Sequence, residues 1–294
     1  MMRIGVIVPT FNRKQLLLDL LASVSHLQIP DNTEVFSIVV VDGSNDGTLE
    51  ALNGLESAVH VVHGDGSWWW TKSVNKGIQR AIELNATHVL LMNDDNYLHE
   101  NYLKILLNDF KSLPQIAVLG STSVSISSSN TIDAAGYHKF NRLLFKLYPY
   151  KKSGSVIDNT FSGVHKSCAL SGRGTLIPVS VLQKVGLLDE SLIQYGSDDD
   201  FTMRCIEQHV PVFISWNARV FNHSEITSKE RNRKSTKLTD LIKAYFNPYS
   251  SSSLKKELIL YSKHSYKLIA PFYCCYLFVA GLLIHFRHKL VVSS

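Results

Sequence analysis

Cysteine is sparse in this chain: Cys168, Cys205, Cys274 and Cys275 are the only four among 294 residues. They show neither metal-ligand spacing nor a disulfide framework, which fits a reducing compartment. Positive charge is lacking over most of the length. Residues 1–227 carry 18 Lys/Arg against 22 Asp/Glu, which argues against a broad basic surface for nucleic acid. No internal repeat is visible. The opening MMRIGVIVPTFNR has an apolar run too short for a secretory leader and meets Pro9 at once, so a cytosolic body is expected. No G-x-G-x-x-G follows the first apolar run, which disfavours a dinucleotide site. Gly66 to Ser73 (GSWWWTKS) comes near a P-loop, but Thr71 stands at the second glycine. Three tryptophans make a poor loop for N–H groups that must approach an anion, which excludes an ATPase.

What is present reads as a globular α/β chain, with 45% hydrophobic and 19% charged residues. Short apolar runs at 3–8, 36–41, 59–62, 89–92 and 116–119 alternate with helical stripes, and their connections are too long for hairpins. This predicts a mostly parallel, Rossmann-like sheet flanked by helices. Asn12 is the expected cap of the first helix, and Thr71 or Ser73 of the helix running to about Leu84. Ser121 to Ser129 reads as a loop or edge hairpin. Beyond residue 120 the alternation is lost. Strands are expected within 170–178, at 212–216 and near 220–223, with helices at 179–185 and from Gly196 onward.

Two acidic clusters carry the chemistry. VLLMNDDN at 89–96 is a buried strand that stops at adjacent carboxylates with no basic residue close in sequence. Such a pair repels unless a cation neutralises it, and hard oxygen ligands suit Mg²⁺ or Mn²⁺ on the diphosphate of a nucleotide. A solvated turn is the alternative. GSDDD at 196–200 holds three aspartates, one positioned to act as general base while Arg204 pairs with another; a helix N-terminus accounts for one or two of them. Asp42, at the end of the second strand, accepts hydrogen bonds either from a base or ribose or from its own turn. Among Trp68, Trp69 and Trp70, at least one walls a sugar or donor pocket, or else they fill core. Asn75 and Gly77 keep a helix start close to a ligand or serve packing. His223 completes a metal shell or is structural.

In this order, Pro9-Thr10-Phe11-Asn12-Arg13, VVVDGSNDGT at 39–48, NDDN at 93–96 and YGSDDDFTMR at 195–204 resemble family 2 glycosyltransferases over residues 3–225. The likeness is greatest to bacterial rhamnosyltransferase-type members that build O-antigen or capsule. Asn75-Lys76-Gly77 and GRGTLIP at 172–178 followed by VGLLDESL are similar to further segments of that family. The resemblance implies a GT-A fold and inverting transfer from a UDP- or dTDP-sugar to a glycan or lipid-linked acceptor. It implies Asp198 as the catalytic base, Asp95 with His223 at the metal, and Asp42 at the base or ribose. Pro9, Thr10, Asn12, Arg13, Asn75 and Asp94 complete the expected nucleotide site, and Trp69, Trp70 and Asp200 the substrate side. Ser197 stands where the family commonly has Glu, and the loop after Asp42 is one residue shorter than usual. A nucleotidyltransferase would show a loop rich in glycine and basic residues where VPTFNRK stands; a non-catalytic glycan- or membrane-binding relative would bind no nucleotide or would tolerate replacement of Asp198 without loss.

Residues 228–294 differ from the body, with 12 Lys/Arg against 3 Asp/Glu. Leu268 to Ile284 is an uncharged apolar run near the length needed to span a bilayer, with Lys255, Lys256, Lys263 and Lys267 ahead of it. A GT-A domain at 1–227 and a helical, membrane-associated tail at 228–294 are therefore expected. Upstream positive charge keeps the body on the cytoplasmic, inner face of the plasma membrane. The tail is a monotopic anchor, a single span or an amphipathic core helix.

Overall fold

The computed structural model describes residues 1–55, 59–127, 130–158, 160–223 and 237–292. The four apolar runs at the start become parallel strands: β1 (Met2–Thr10), β2 (Thr33–Asp42), β3 (Val59–Gly64) and β4 (His88–Leu91). They lie in the order β3-β2-β1-β4. The chain continues through β5 (Asn96–Tyr97), β6 (Val118–Ser125), β7 (Ile132–Ala134) and a separate hairpin of β8 (Tyr137–Asn141) and β9 (Lys146–Pro149). β10 (Val164–Lys166), β11 (Thr175–Pro178) and β12 (Val212–Asn222) follow. Past β4 the sheet runs β11-β6-β12-β10; β11 is antiparallel to both its neighbours, whereas β6 and β12 are parallel.

The helices are α1 (Lys14–Ser25), α2 (Thr48–Leu52), α3 (Trp69–Glu83), α4 (Tyr102–Lys111), α5 (Val179–Val185) and α6 (Ser197–Glu207). Side chains alternate across a strand, so each strand feeds two cores. Ile7, Ile38, Val40, Val89 and Leu91 pack on Val74, Ile78 and Ala81 of α3. On the other face Val6, Val8, Val39, Val41, Leu90 and Met92 pack on Leu17 and Leu20 of α1 and Leu103, Leu106 and Leu107 of α4. Each fully buried Leu or Ile of these runs contributes roughly 2 kcal/mol. Gly77 belongs to this packing and not to a ligand: a Cβ there would stand 2.5 Å from Ile7 Cγ2.

Two local expectations change, and a third takes one of its two alternatives. β1 runs through Pro9 instead of ending before it. The Ile7 carbonyl accepts from Met92 N (3.0 Å) on the β4 side, and pairing with β4 ends there; Pro9, two residues on, turns its missing N–H to that same unpaired side. Asn12 does not cap α1; Asp46 Oδ2 accepts from Lys14 N (2.9 Å) across the loops. Of the stretch 121–129, expected as loop or edge hairpin, Ser121 to Ser125 take the hairpin form: they complete β6, are buried throughout and pair antiparallel with β7, while 128–129 lie outside the described residues. The hydroxyls of this segment find partners inside: Ser121 donates to the Gly174 carbonyl (2.8 Å), Thr122 to that of Ser215 (2.9 Å), and Ser123 accepts from Asn222, as burial of polar groups requires.

The C-terminal region forms α7 (Leu238–Phe246), α8 (Leu254–His264), a 3-10 turn at Lys267–Ile269 and α9 (Ala270–Val292). The expected boundary at 227/228 lies outside the described residues. α8 buries Leu260, Tyr261 and His264. Lys267–Arg287 is 21 residues long, and hardly any of it is fully buried. At 1.5 Å per residue that is about 31 Å, the thickness of a bilayer's hydrocarbon core.

Candidate active site

Strand β4 delivers the first acidic cluster to the carboxyl edge of the sheet, where open α/β folds bind ligands. Asn96 Oδ1 accepts from Asn93 N (2.9 Å) and closes the turn. Asp94 accepts from Thr10 Oγ1 (2.9 Å) and from Arg13 Nη1 (3.0 Å). The same guanidinium nitrogen lies 3.7 Å from Asp95 Oδ2. The positive charge that local sequence lacked thus comes from Arg13, 81 residues away along the chain. Burial pushes the Asp94 carboxyl up to about 6, with Arg13 opposing and the charge of Asp95 assisting.

Asp95 is 2% exposed, yet among the described residues its carboxylate receives one long 3.4 Å hydrogen bond, from Asn96 Nδ2, beside the 3.7 Å ion pair with Arg13. A buried carboxylate with spare lone pairs is a hard oxygen donor in need of a cation. Among the described residues no group of three or more His, Cys, Asp or Glu is arranged to hold a metal. Mg²⁺ and Mn²⁺ sites need only one or two carboxylates plus substrate phosphates, and Asp95 with Asp94 fits that donor set. His223 meets this corner through its main chain, its N–H reaching the Asp95 carbonyl at 3.4 Å; among the described residues its ring has no hydrogen-bond partner.

Several expected ligand residues are already engaged. Asp42 accepts from Gly66 N (2.8 Å), Trp68 N (2.9 Å) and Trp69 N (2.9 Å), so it caps α3, and Thr71 and Ser73 lie inside that helix. Asn75 bonds Leu188 N (3.0 Å), the Leu188 carbonyl (2.9 Å) and Glu190 Oε1 (3.0 Å); its amide clamps a loop, with both its donors engaged there. Pro9 is buried within β1. Asn12, at φ 51°, ties its loop to the next one, accepting from Asn45 N (2.8 Å) while its own N–H donates to Ser44 Oγ (3.0 Å). Asp200 is 0% exposed and bonded to Arg204 Nε (2.8 Å). This is the pairing expected for Arg204, and it removes Asp200 from the substrate side, because no ligand reaches a carboxylate with no accessible surface.

The second cluster begins α6 after Gly196, whose φ of 87° turns the chain. Asp198 is part-exposed, accepts from Gly172 N (2.9 Å) and Asp199 N (3.0 Å), and keeps lone pairs free. It lines a cavity of about 170 Å³ with Tyr137, Ser171, Tyr195, Asp199 and Lys256. Burial and the charges of Asp199 and Asp198 push the Tyr137 hydroxyl upward. Asp94 and Asp95 do not line this cavity. Trp70 joins the two regions: its indole N–H donates to Asn93 Oδ1 (3.0 Å), beside Asp94. Its ring lies against Gly172, where a Cβ would come within 2.5 Å, and Gly172 in turn holds Asp198. Trp69, 41% exposed, stacks on Tyr249 with ring centroids 4.0 Å apart.

Sequence reading missed Gly172, Tyr137, Tyr195 and Lys256 as neighbours of Asp198. The segment GRGTLIP was singled out and pointed to the right loop; nothing local marks Tyr137 or Lys256.

No curated protein matches the chain. Among solved structures, GalNAc-T7, crystallised with UDP, GalNAc and Mn²⁺, superposes with a TM-score of 0.61 at 12% identity, covering 92% of this chain and 56% of its own. The chain therefore spans just over half the length of that relative. S. aureus TarS 1–349 gives a TM-score of 0.54 at 18% identity, covering 88% and 69%. At these identities the likeness is one of fold, and the fold is of the GT-A type. Residues 5–170 match the family model described as glycosyl transferase family 2. With more than half its length inside that match, the chain belongs to glycosyl transferase family 2.

Proposed function

We propose that this protein transfers a sugar, with inversion, from a UDP- or dTDP-sugar to a hydroxyl of a glycan or lipid-linked acceptor, in the assembly of a cell-surface polysaccharide such as O-antigen or capsule. The observation that carries this is that Trp70 bridges the surroundings of the two acidic clusters: its indole N–H sits on Asn93, beside Asp94, and its ring lies against Gly172, whose N–H holds Asp198. Arg13, already on Asp94, offers its remaining N–H groups to a diphosphate. Asp95 would hold Mg²⁺ or Mn²⁺, with Asp94 and His223 adjoining, and the bound cation supplies Lewis-acid neutralisation of the leaving diphosphate.

Asp198 takes the proton of the acceptor hydroxyl as its oxygen forms a bond to the anomeric carbon. The bond from that carbon to the diphosphate oxygen breaks on the opposite face, and the electron pair leaves with the nucleoside diphosphate. Gly172 N–H fixes one carboxylate oxygen of Asp198, so the base is oriented before substrate arrives. Trp70 walls the space between donor and acceptor, and the Trp69–Tyr249 stack offers a flat apolar face of the kind sugars lie on. The exposed faces of Leu268, Phe272, Tyr276, Leu283 and Ile284, preceded by lysines, support attachment of the tail to the inner leaflet.

Asp198→Asn tests the assignment. It should abolish transfer while UDP or dTDP affinity with Mn²⁺, measured by calorimetry, stays within about twofold of wild type. Full turnover in that variant removes Asp198 as the base.

A further inference from the structure

The helix that bears Asp198 is held from outside the body. Asp200, with no accessible surface, is contacted by Arg204 Nε (2.8 Å), Lys263 Nζ (2.5 Å) and His264 Nε2 (2.9 Å). An ionised carboxylate so enclosed persists only when paired, and two of its three partners belong to α8, more than 60 residues on. The other ring nitrogen of His264 meets Glu207 Oε1 (2.9 Å), so the imidazolium, donating from both nitrogens, satisfies both acids. Lys263 also reaches Asp189 (2.8 Å).

The same helix closes over the start of α6. Leu260 and Lys256 rest on Gly196, where a Cβ would stand 2.9 Å from Leu260 Cδ1. Ser251 and Lys256 line the cavity beside Asp198 and Asp199. Tyr261 donates to the Leu143 carbonyl (2.8 Å), which pins α8 to the β8–β9 hairpin. Residues two apart on a helix point roughly 200° from each other. Drawing Asp200 inward against α8 therefore turns Asp198 outward to the cavity and to Gly172.

We infer that α8 is part of the transfer site, and that Lys263 and His264, acting through Asp200, are positioning residues for the Asp198 carboxylate. This rests on the reading of Asp198 as the base. The tail is then more than an anchor, since the segment leading into the exposed apolar helix also sets the reactive group.

The Gly172 amide reports the position of Asp198 directly, because it donates to that carboxylate. Residue-resolved hydrogen exchange on the full chain should show Gly172 and Asp199 amides exchanging on the order of tenfold faster in His264→Leu and in Lys263→Met. Amides of β2 should keep wild-type rates, and His264→Gln, which retains a donor toward Asp200, should restore Gly172 protection. Lys263 is part-exposed, so its variant serves if His264→Leu does not fold. Unchanged Gly172 exchange in both variants, or equal acceleration in β2, overturns the positioning role. UDP and dTDP titrated with Mn²⁺ should bind these variants as they bind wild type. If wild type binds neither, the transfer reading fails, while Gly172 exchange still decides whether the tail holds Asp198.

Discussion

Asp94→Asn exposes the energetic cost of the acidic corner. In the folded protein the Asp94 carboxyl titrates at about 6 against an ordinary 3.8, because burial outweighs its bond to Arg13. At about 1.4 kcal/mol per pKa unit, holding it ionised at neutral pH costs about 3 kcal/mol. The sign follows from linkage: a pKa raised by folding contributes stability that is complete below about pH 4 and is lost as pH rises through about 6. Asparagine does not titrate in that window, and groups away from this corner cancel in a difference. Urea unfolding of wild type and variant at a series of pH values should therefore show the wild type losing about 3 kcal/mol relative to Asp94→Asn between pH 3 and pH 7. A flat difference, or one of opposite slope, would mean that Thr10 and Arg13 fully compensate the buried charge. It would also remove the reason for a cation at this corner, because the strain that a divalent ion relieves would be absent.

Two further outcomes follow from the packing. Asp42→Ala leaves three N–H groups at the start of α3 without their acceptor, which should cost about 2–3 kcal/mol in denaturant unfolding; unchanged stability would return Asp42 to a purely ligand-facing role. Removing residues 268–294 should free the protein from the membrane fraction while keeping its melting temperature. Removing 255–294 also takes away Leu260, Tyr261 and His264 and should lower it, and identical melting of the two truncations would show that α8 contributes nothing to the body.

Much of the fold was legible because it is written in short range. Runs such as GVIV and IVVV are apolar at every position, which marks strands covered on both faces, and each is followed by a helical stripe. The two acidic clusters stood out because consecutive carboxylates are costly without a partner. What was not legible depends on partners distant in the chain. The hydroxyl-rich half of β6 reads as loop or edge hairpin alike until Gly174, Ser215 and Asn222 are seen to bond its hydroxyls and β7 to pair with it. Asp42 and Asn75 have the residue types of nucleotide ligands, and only the path of the main chain around Gly66–Trp69 and Leu188–Glu190 shows where their hydrogen bonds go. Asp200 is indistinguishable from Asp198 in sequence. The contact with His264, 64 residues later, is what buries one and leaves the other at a cavity. The counter-charge for Asp94 escaped for the same reason, although Arg13 itself was singled out.

The central claim is that the Asp94–Asp95 corner binds a nucleoside diphosphate through a divalent cation. Calorimetry of UDP and dTDP with and without Mn²⁺, on wild type and on Asp95→Ala, tests it most directly. The account predicts that binding to wild type requires the cation and that Asp95→Ala loses it. Equal affinity without Mn²⁺, or unchanged metal-dependent binding in Asp95→Ala, would contradict it.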